Sequence, residues 1–169
     1  MDLALGFHQR LAITPDKGEM RDGAIRYLMM RPDALMGMFA RLSPAARAEA
    51  LDALAASVAE NGGKSVRAYR DSGAADPEAL MRTIVQTSAE LGWGLWTFDR
   101  QGEDGFRVTV RNSPFADGIG SAEAPVCGAI RGILTAMGPL LTGGKDVTVT
   151  ETQCHAVSGT GTCSFTVSC

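Results

Sequence analysis

One residue pattern in this 169-residue chain could do chemistry: Cys127, then Glu151-x-x-Cys154, then Cys163. Three thiolates and a carboxylate suit tetrahedral zinc, which they bind at about 2.3 Å through sulfur and about 2.0–2.2 Å through oxygen. Four protein ligands fill that shell. Zinc held in this way is structural and has no open position at which to activate water.

The elements must bring these residues together from distant parts of the chain. Val147-Thr148-Val149 and Ser164-Phe165-Thr166-Val167 alternate like the two arms of a β-hairpin. A turn at Ser158-Gly159 would set Cys154 directly opposite Cys163, where paired side chains lie about 5 Å apart. Glu151 is an odd number of residues from Cys154, so a regular strand would point the two to opposite faces. The set therefore requires a bulge or strand end near Thr152-Gln153. Pro125 opens a helix carrying Ile130, Ile133, Leu134, Met137 and Leu141, closed by Gly143-Gly144. Cys127 then falls in a first turn whose free N–H groups favour thiolate.

Other readings of the same residues stand open. Cys127 and Cys163 could be ordinary buried thiols with Glu151 a solvated strand residue. Cys154 and Cys163 could form a disulfide, a pairing that reducing compartments disfavour. His155 could replace Glu151, although adjacent strand residues face opposite sides. Cys169, the last residue, reads as a bystander.

Upstream, residues 1–18 show no clean period and read as a partly ordered arm. The apolar run Gly23 to Arg31 suits a buried strand or a first helical turn, with a helix beyond Pro32. Ser43-Pro44 starts a helix through Leu51, Leu54, Ala55 and Val58 that Asn61-Gly62-Gly63 should stop. Asp76-Pro77 starts another, with Leu80, Ile84, Thr87, Ser88 and Leu91 on one face. Leu95 to Phe98 and Phe106 to Val110 form a hairpin around the polar turn Gln101 to Gly105, and Asn112 to Ala124 reads as a loop. This order predicts an α+β fold in which helices pack on one face of an antiparallel β-sheet.

Composition narrows the function. Hydrophobic residues make up 45% of the chain, enough for one core but short for two domains, so residues 1–169 read as a single domain. No apolar run reaches the roughly 20 residues of a membrane span, and no basic leader segment is evident, so a cytoplasmic location is expected. A net charge of −3, with scattered arginines, argues against direct nucleic-acid binding. Asn61 to Ser65 resembles the end of a phosphate loop, but Val58 stands where its first glycine is required and a helix precedes it. Gly118-x-Gly120 and Gly159-x-Gly161 lack the third glycine of a dinucleotide site. With no nucleophile–base pair either, the chain reads as a non-enzyme.

Beyond these physical signals, four segments together resemble the 4-vinyl reductase domain family. They are Val108-x-Val110-x-Asn112-Ser113-Pro114-Phe115-Ala116, Pro125-Val126-Cys127-x-x-Ile130-x-Gly132, Val147-x-Val149-x-Glu151-x-x-Cys154-x-x-x-x-Gly159 and Cys163-x-Phe165-x-Val167. The signature region is 106–168. The resemblance implies a fold related to TRAPP vesicle-tethering subunits, commonly a homodimer with an apolar ligand held between helices. It strengthens the assignment of structural zinc to Cys127, Glu151, Cys154 and Cys163.

The resemblance also implies function. Relatives include the N-terminal sensor domains of phenol- and toluene-responsive enhancer-binding regulators, and proteins that occur with bacteriochlorophyll biosynthesis. The first expectation is a small-molecule sensor that binds an apolar or aromatic ligand and signals through a separate regulatory partner. A structural adaptor or assembly protein is one alternative, and an accessory factor in vinyl tetrapyrrole biosynthesis another. The aromatic sensors use a His and a Trp upstream of the first ligand cysteine, whereas this chain has Pro114-Phe115 in the matching Trp segment and no His between His8 and His155. Its pocket candidates are Trp93, Trp96, Phe106 and Phe115, although for each of them core packing is the more common role.

Overall fold

The computed structural model describes residues 5–71, 76–102 and 105–169. It begins with a one-turn helix, α1 (Phe7–Arg10), and a three-stranded antiparallel meander of β1 (Ala12–Thr14), β2 (Glu19–Asp22) and β3 (Ile25–Tyr27). Most of the segment expected to be a partly ordered arm is thus regular structure, and its first four residues lie outside the described ones. A buried ion pair of 3.1 Å between Arg10 and Asp22 ties α1 to β2. Beyond β3, Leu28, Met29 and Met30 are exposed rather than part of a buried strand. A helix does follow Pro32: α2 (Pro32–Ala40), with proline at its first position.

Next come α3 (Pro44–Asp71) and α4 (Pro77–Glu90). The start signals behave as the sequence suggests. Ser43 Oγ accepts from the Ala46 N–H, and Asp76 Oδ1 accepts from the Ala79 N–H at 2.8 Å. The expected stop at Asn61-Gly62-Gly63 does not occur, and α3 runs on to Asp71. Here the glycines serve packing instead of capping. A Cβ on Gly62 would sit 3.0 Å from Ile133 Cδ1, and one on Gly63 would sit 3.3 Å from Ala136 Cβ. Their bare surface lets the later helix approach, a gain that offsets about 1 kcal/mol per glycine in helix propensity.

The rest of the chain builds the main sheet. Strands β4 (Leu95–Arg100), β5 (Gly105–Arg111), β6 (Thr148–Gln153) and β7 (Thr162–Ser168) are antiparallel, in the order β4-β5-β7-β6. Two residues of the expected polar turn, 103–104, lie outside the described residues. Trp96, Val108, Val110, Cys163, Phe165 and Val167 are buried on one face, while Thr97 and Arg107 are exposed on the other. That alternation makes one face core and one face solvent, as an antiparallel sheet allows. The α+β arrangement expected from the sequence is the observed one.

Three shorter departures shape the site. Ser113-Pro114 starts a helix, α5 (Pro114–Ile119), inside the segment read as a loop. The next helix, α6 (Gly128–Leu141), starts three residues after Pro125 and makes Cys127 its N-cap. Between β6 and β7 the chain forms a helical turn, α7 (His155–Ser158), and Gly159 then ends it in the left-handed region at φ 70°. Helix α6 lies between α3 and the sheet, with Ile130, Leu134 and Met137 buried. Each such side chain contributes about 1.5–3 kcal/mol of burial. Among the described residues, no helix is long and apolar enough to cross a membrane.

Candidate metal centre and helix cavity

Cys127, Glu151, Cys154 and Cys163 converge. Their donor atoms all lie within 4.8 Å of one another. The register explains how. From Thr148 to Glu151, β6 pairs regularly with β7, so that Glu151 faces Phe165. A bulge then intervenes, and Gln153 pairs with Ser164. The extra residue brings Glu151 and Cys154 to the same side, as the odd spacing required. Cys154 itself lies just past the strand, as N-cap of α7, rather than in a ladder position.

The three sulfurs are buried, and all four cysteines are free thiols. Cys127 Sγ lies 3.6 Å from Cys163 Sγ. Sulfurs bound to one tetrahedral zinc at about 2.3 Å would stand about 3.8 Å apart, so the spacing fits a shared ion. Surrounding groups fix the set. Ser113 Oγ is 3.3 Å from Cys127 Sγ, the His155 N–H donates to Cys163 Sγ at 3.3 Å, and the Cys127 N–H donates to Glu151 Oε2 at 3.0 Å. Glu151 Oε1 is buried with no hydrogen-bond partner, which is what a carboxylate oxygen reserved for a cation looks like. His155 is not among the converging donors, and its Nδ1 accepts from the Gly161 N–H at 2.8 Å.

Crowding four acids into one buried spot redistributes their protons. Hydrogen bonds from Cys127 and then Cys154 push the Cys163 thiol down to about 4. Cys127 is pushed up, first by its hydrogen bonds with Cys154 and Cys163 and then by burial. Burial, followed by the proximity of Cys154, pushes Glu151 up to about 8. A divalent cation would supply the charge that protons otherwise supply here, and Cys127, Cys154, Cys163 and Glu151 are a donor set that fits zinc.

A second feature lies between α3, α4 and α6: a cavity of about 150 Å³. Val58, Val66, Ile84, Leu91 and Ile133 give it an apolar wall; Tyr69, Thr87 and Ser88 add hydroxyls, and among the described residues no charged one lines it. Burial pushes the hydroxyls of both Tyr69 and Tyr27 above the ordinary tyrosine range. Of the four aromatic candidates, Trp93 alone lines this cavity. Trp96, Phe106 and Phe115 are buried in the core. Trp96 Nε1 donates to the Trp93 carbonyl at 3.0 Å, and Phe115 meets the Trp93 ring edge-on at 5.2 Å. They point inward from strands and α5, a direction that sequence alone could not separate from a pocket.

Some contributors were not singled out from sequence. Ser113 was visible only as part of a matched segment, yet its hydroxyl both caps α5 and reaches Cys127. Thr87 and Ser88 were legible only as part of one helix face, and Tyr27 and Tyr69 had no local signal, because only the meeting of several elements makes the four neighbours. The phosphate-loop look-alike at Asn61 to Ser65 is mid-helix in α3.

Residues 106–168 match the family model of the 4-vinyl reductase domain. No curated protein matches the chain significantly. Among solved structures, the chain is similar to the phenol-responsive sensory domain of the transcription activator PoxR, crystallised with phenol. The TM-score is 0.77 at 18% identity, covering 95% of this chain and 85% of that one. Over residues 106–168 the chain is therefore similar to the 4-vinyl reductase domain, and it shares the fold of the PoxR sensory domain.

Proposed function

We propose that this protein is one zinc-stapled sensor unit that binds a small, uncharged apolar or aromatic molecule and reports it to a separate partner. The observation that carries this reading is the uncharged cavity of about 150 Å³ between the helices. A cavity of about that volume, lined by apolar side chains, accepts benzene in another protein. The likeness to a phenol-responsive domain supports the same class of ligand. Zinc, held by Cys127, Glu151, Cys154 and Cys163, joins α6 to β6 and β7 and keeps the cavity's α6 wall in place. The protein acts without catalysis, as a cytoplasmic homodimer whose thiols stay reduced.

An adaptor role without ligand draws its support from exposed Leu28 and Met29, 78% and 79% accessible beside the cavity residue Tyr27. In the sensor reading the same side chains form the surface that a partner reads. A tetrapyrrole role fits poorly, since one ring's worth of space cannot enclose a macrocycle.

The test is elemental analysis of purified protein followed by calorimetric titration with phenol, toluene and a charged benzoate. About one zinc per chain, with binding of neutral rings and none of benzoate, is expected. Absence of zinc removes the metal centre, and failure of every neutral ring to bind removes the sensor.

A further inference from the structure

Only one of the four converging side chains reaches a surface groove. Cys127, Cys154 and Cys163 are 0%, 2% and 0% exposed, whereas Glu151 lines a groove of about 290 Å³ between α3, α6 and β6. The approaches through the sheet and through α5 are closed. Val110 and Phe165 are fully buried on the sheet side, as is Ala116 on the α5 side. Towards α3, the α6 backbone is in direct contact: a Cβ on Gly128 would lie 2.5 Å from the Leu51 carbonyl oxygen, and one on Gly132 would overlap that of Ala55. The surface ion pair of Arg131 with Asp52 stands among the groove's lining residues.

We infer that this groove is the route by which the metal ion enters and leaves, with Glu151 as the exchangeable ligand and Asp52–Arg131 as the strap across the route. The inference rests on the metal-centre reading. It follows from accessibility and chemistry together. An incoming chelator reaches Glu151 before any sulfur, and a monodentate carboxylate yields its position more readily than a buried thiolate. Glu151 keeps its other oxygen on the Cys127 N–H, so displacement leaves it anchored and ready to rebind. On transfer of the cation to the chelator, the sulfurs and the carboxylate would take up solvent protons in its place.

Zinc transfer from the loaded full chain to excess 4-(2-pyridylazo)resorcinol, followed by stopped-flow absorbance, tests the route. Arg131→Ala and Asp52→Ala, which are not ligands, should release zinc several-fold faster while retaining wild-type stoichiometry. Ala48→Trp, an exposed α3 position on the groove, should slow release. Arg26→Ala, on the distant meander, is the control and should match wild type. Parallel melting curves separate an opened route from a loosened fold, since a loosened fold would lower the melting temperature with the acceleration. Wild-type rates in both strap variants and in Ala48→Trp would overturn the route while leaving the metal centre standing. A wild-type chain that holds no zinc would overturn both.

Discussion

Glu151 accepts the Cys127 N–H through one oxygen at 3.0 Å and holds the other oxygen buried with no partner. A half-satisfied carboxylate among thiols is costly unless a proton or cation completes it. In the metal-free protein its pKa is raised to about 8, from 4.5. With the folded value above the unfolded one, its contribution to stability is complete below pH 4.5 and is lost as pH rises through 8. Glu151→Gln does not titrate. The metal-free variant should therefore gain on wild type as pH rises between these limits, by up to a few kcal/mol at pH 8. The cysteines are common to both proteins, so the difference isolates Glu151 and its coupling to them. With zinc the order should reverse. Urea unfolding across pH, with and without chelator, gives both comparisons.

Ser113 links two tasks, since its hydroxyl caps α5 and lies 3.3 Å from Cys127 Sγ. Ser113→Ala should weaken zinc affinity by roughly 10–100-fold, the usual effect of losing an outer-shell partner. Loss of the cap should cost about 1 kcal/mol besides. Cys154→Ser, in contrast, should abolish stoichiometric zinc, while Cys169→Ser, at an exposed terminal position, should leave it intact. Competition titration against a calibrated chelator ranks all three.

Much of this site was legible because its constraints are local. The odd interval from Glu151 to Cys154 demanded a bulge, and the ladder shifts between Glu151 and Gln153. Start signals such as Asp76-Pro77 work within one turn of helix, so they hold whatever the rest of the fold does. The stop at Gly62-Gly63 was misleading because a glycine pair signals both a C-cap and a close helix contact. Only Ile133 and Ala136, some 70 residues away, decide between them. The cavity was the least legible feature. Trp93 was singled out beside three aromatics that pack as core, whereas Val58, Tyr69 and Thr87 become neighbours only once α3, α4 and α6 assemble.

The contact between α3 and α6 is set by glycine on both helices. At Gly132 a Cβ would overlap the Ala55 carbonyl oxygen, and backbone cannot yield as a side chain does. Gly132→Ala should force the helices apart and destabilise the protein by roughly 1–3 kcal/mol despite its better helix propensity. Because Gly132 neighbours Ile133, the cavity should change shape as well. Chemical denaturation reads the first effect and ligand titration the second. Unchanged stability would mean that α6 can shift along α3 without cost.

Ser88 offers a way to separate ligand binding from the metal. It is buried on α4, lines the cavity and is not among the groups hydrogen-bonded to Cys127. Ser88→Phe would place a ring in the space proposed for the ligand. Filling a pre-existing cavity costs less than crowding a full core, so stability should change by less than about 2 kcal/mol. Calorimetry should show that neutral aromatic ligands no longer bind, while elemental analysis returns wild-type zinc. If such ligands bind the variant as well as wild type, they occupy some other place on the protein, and the space between the helices is a packing defect rather than a site.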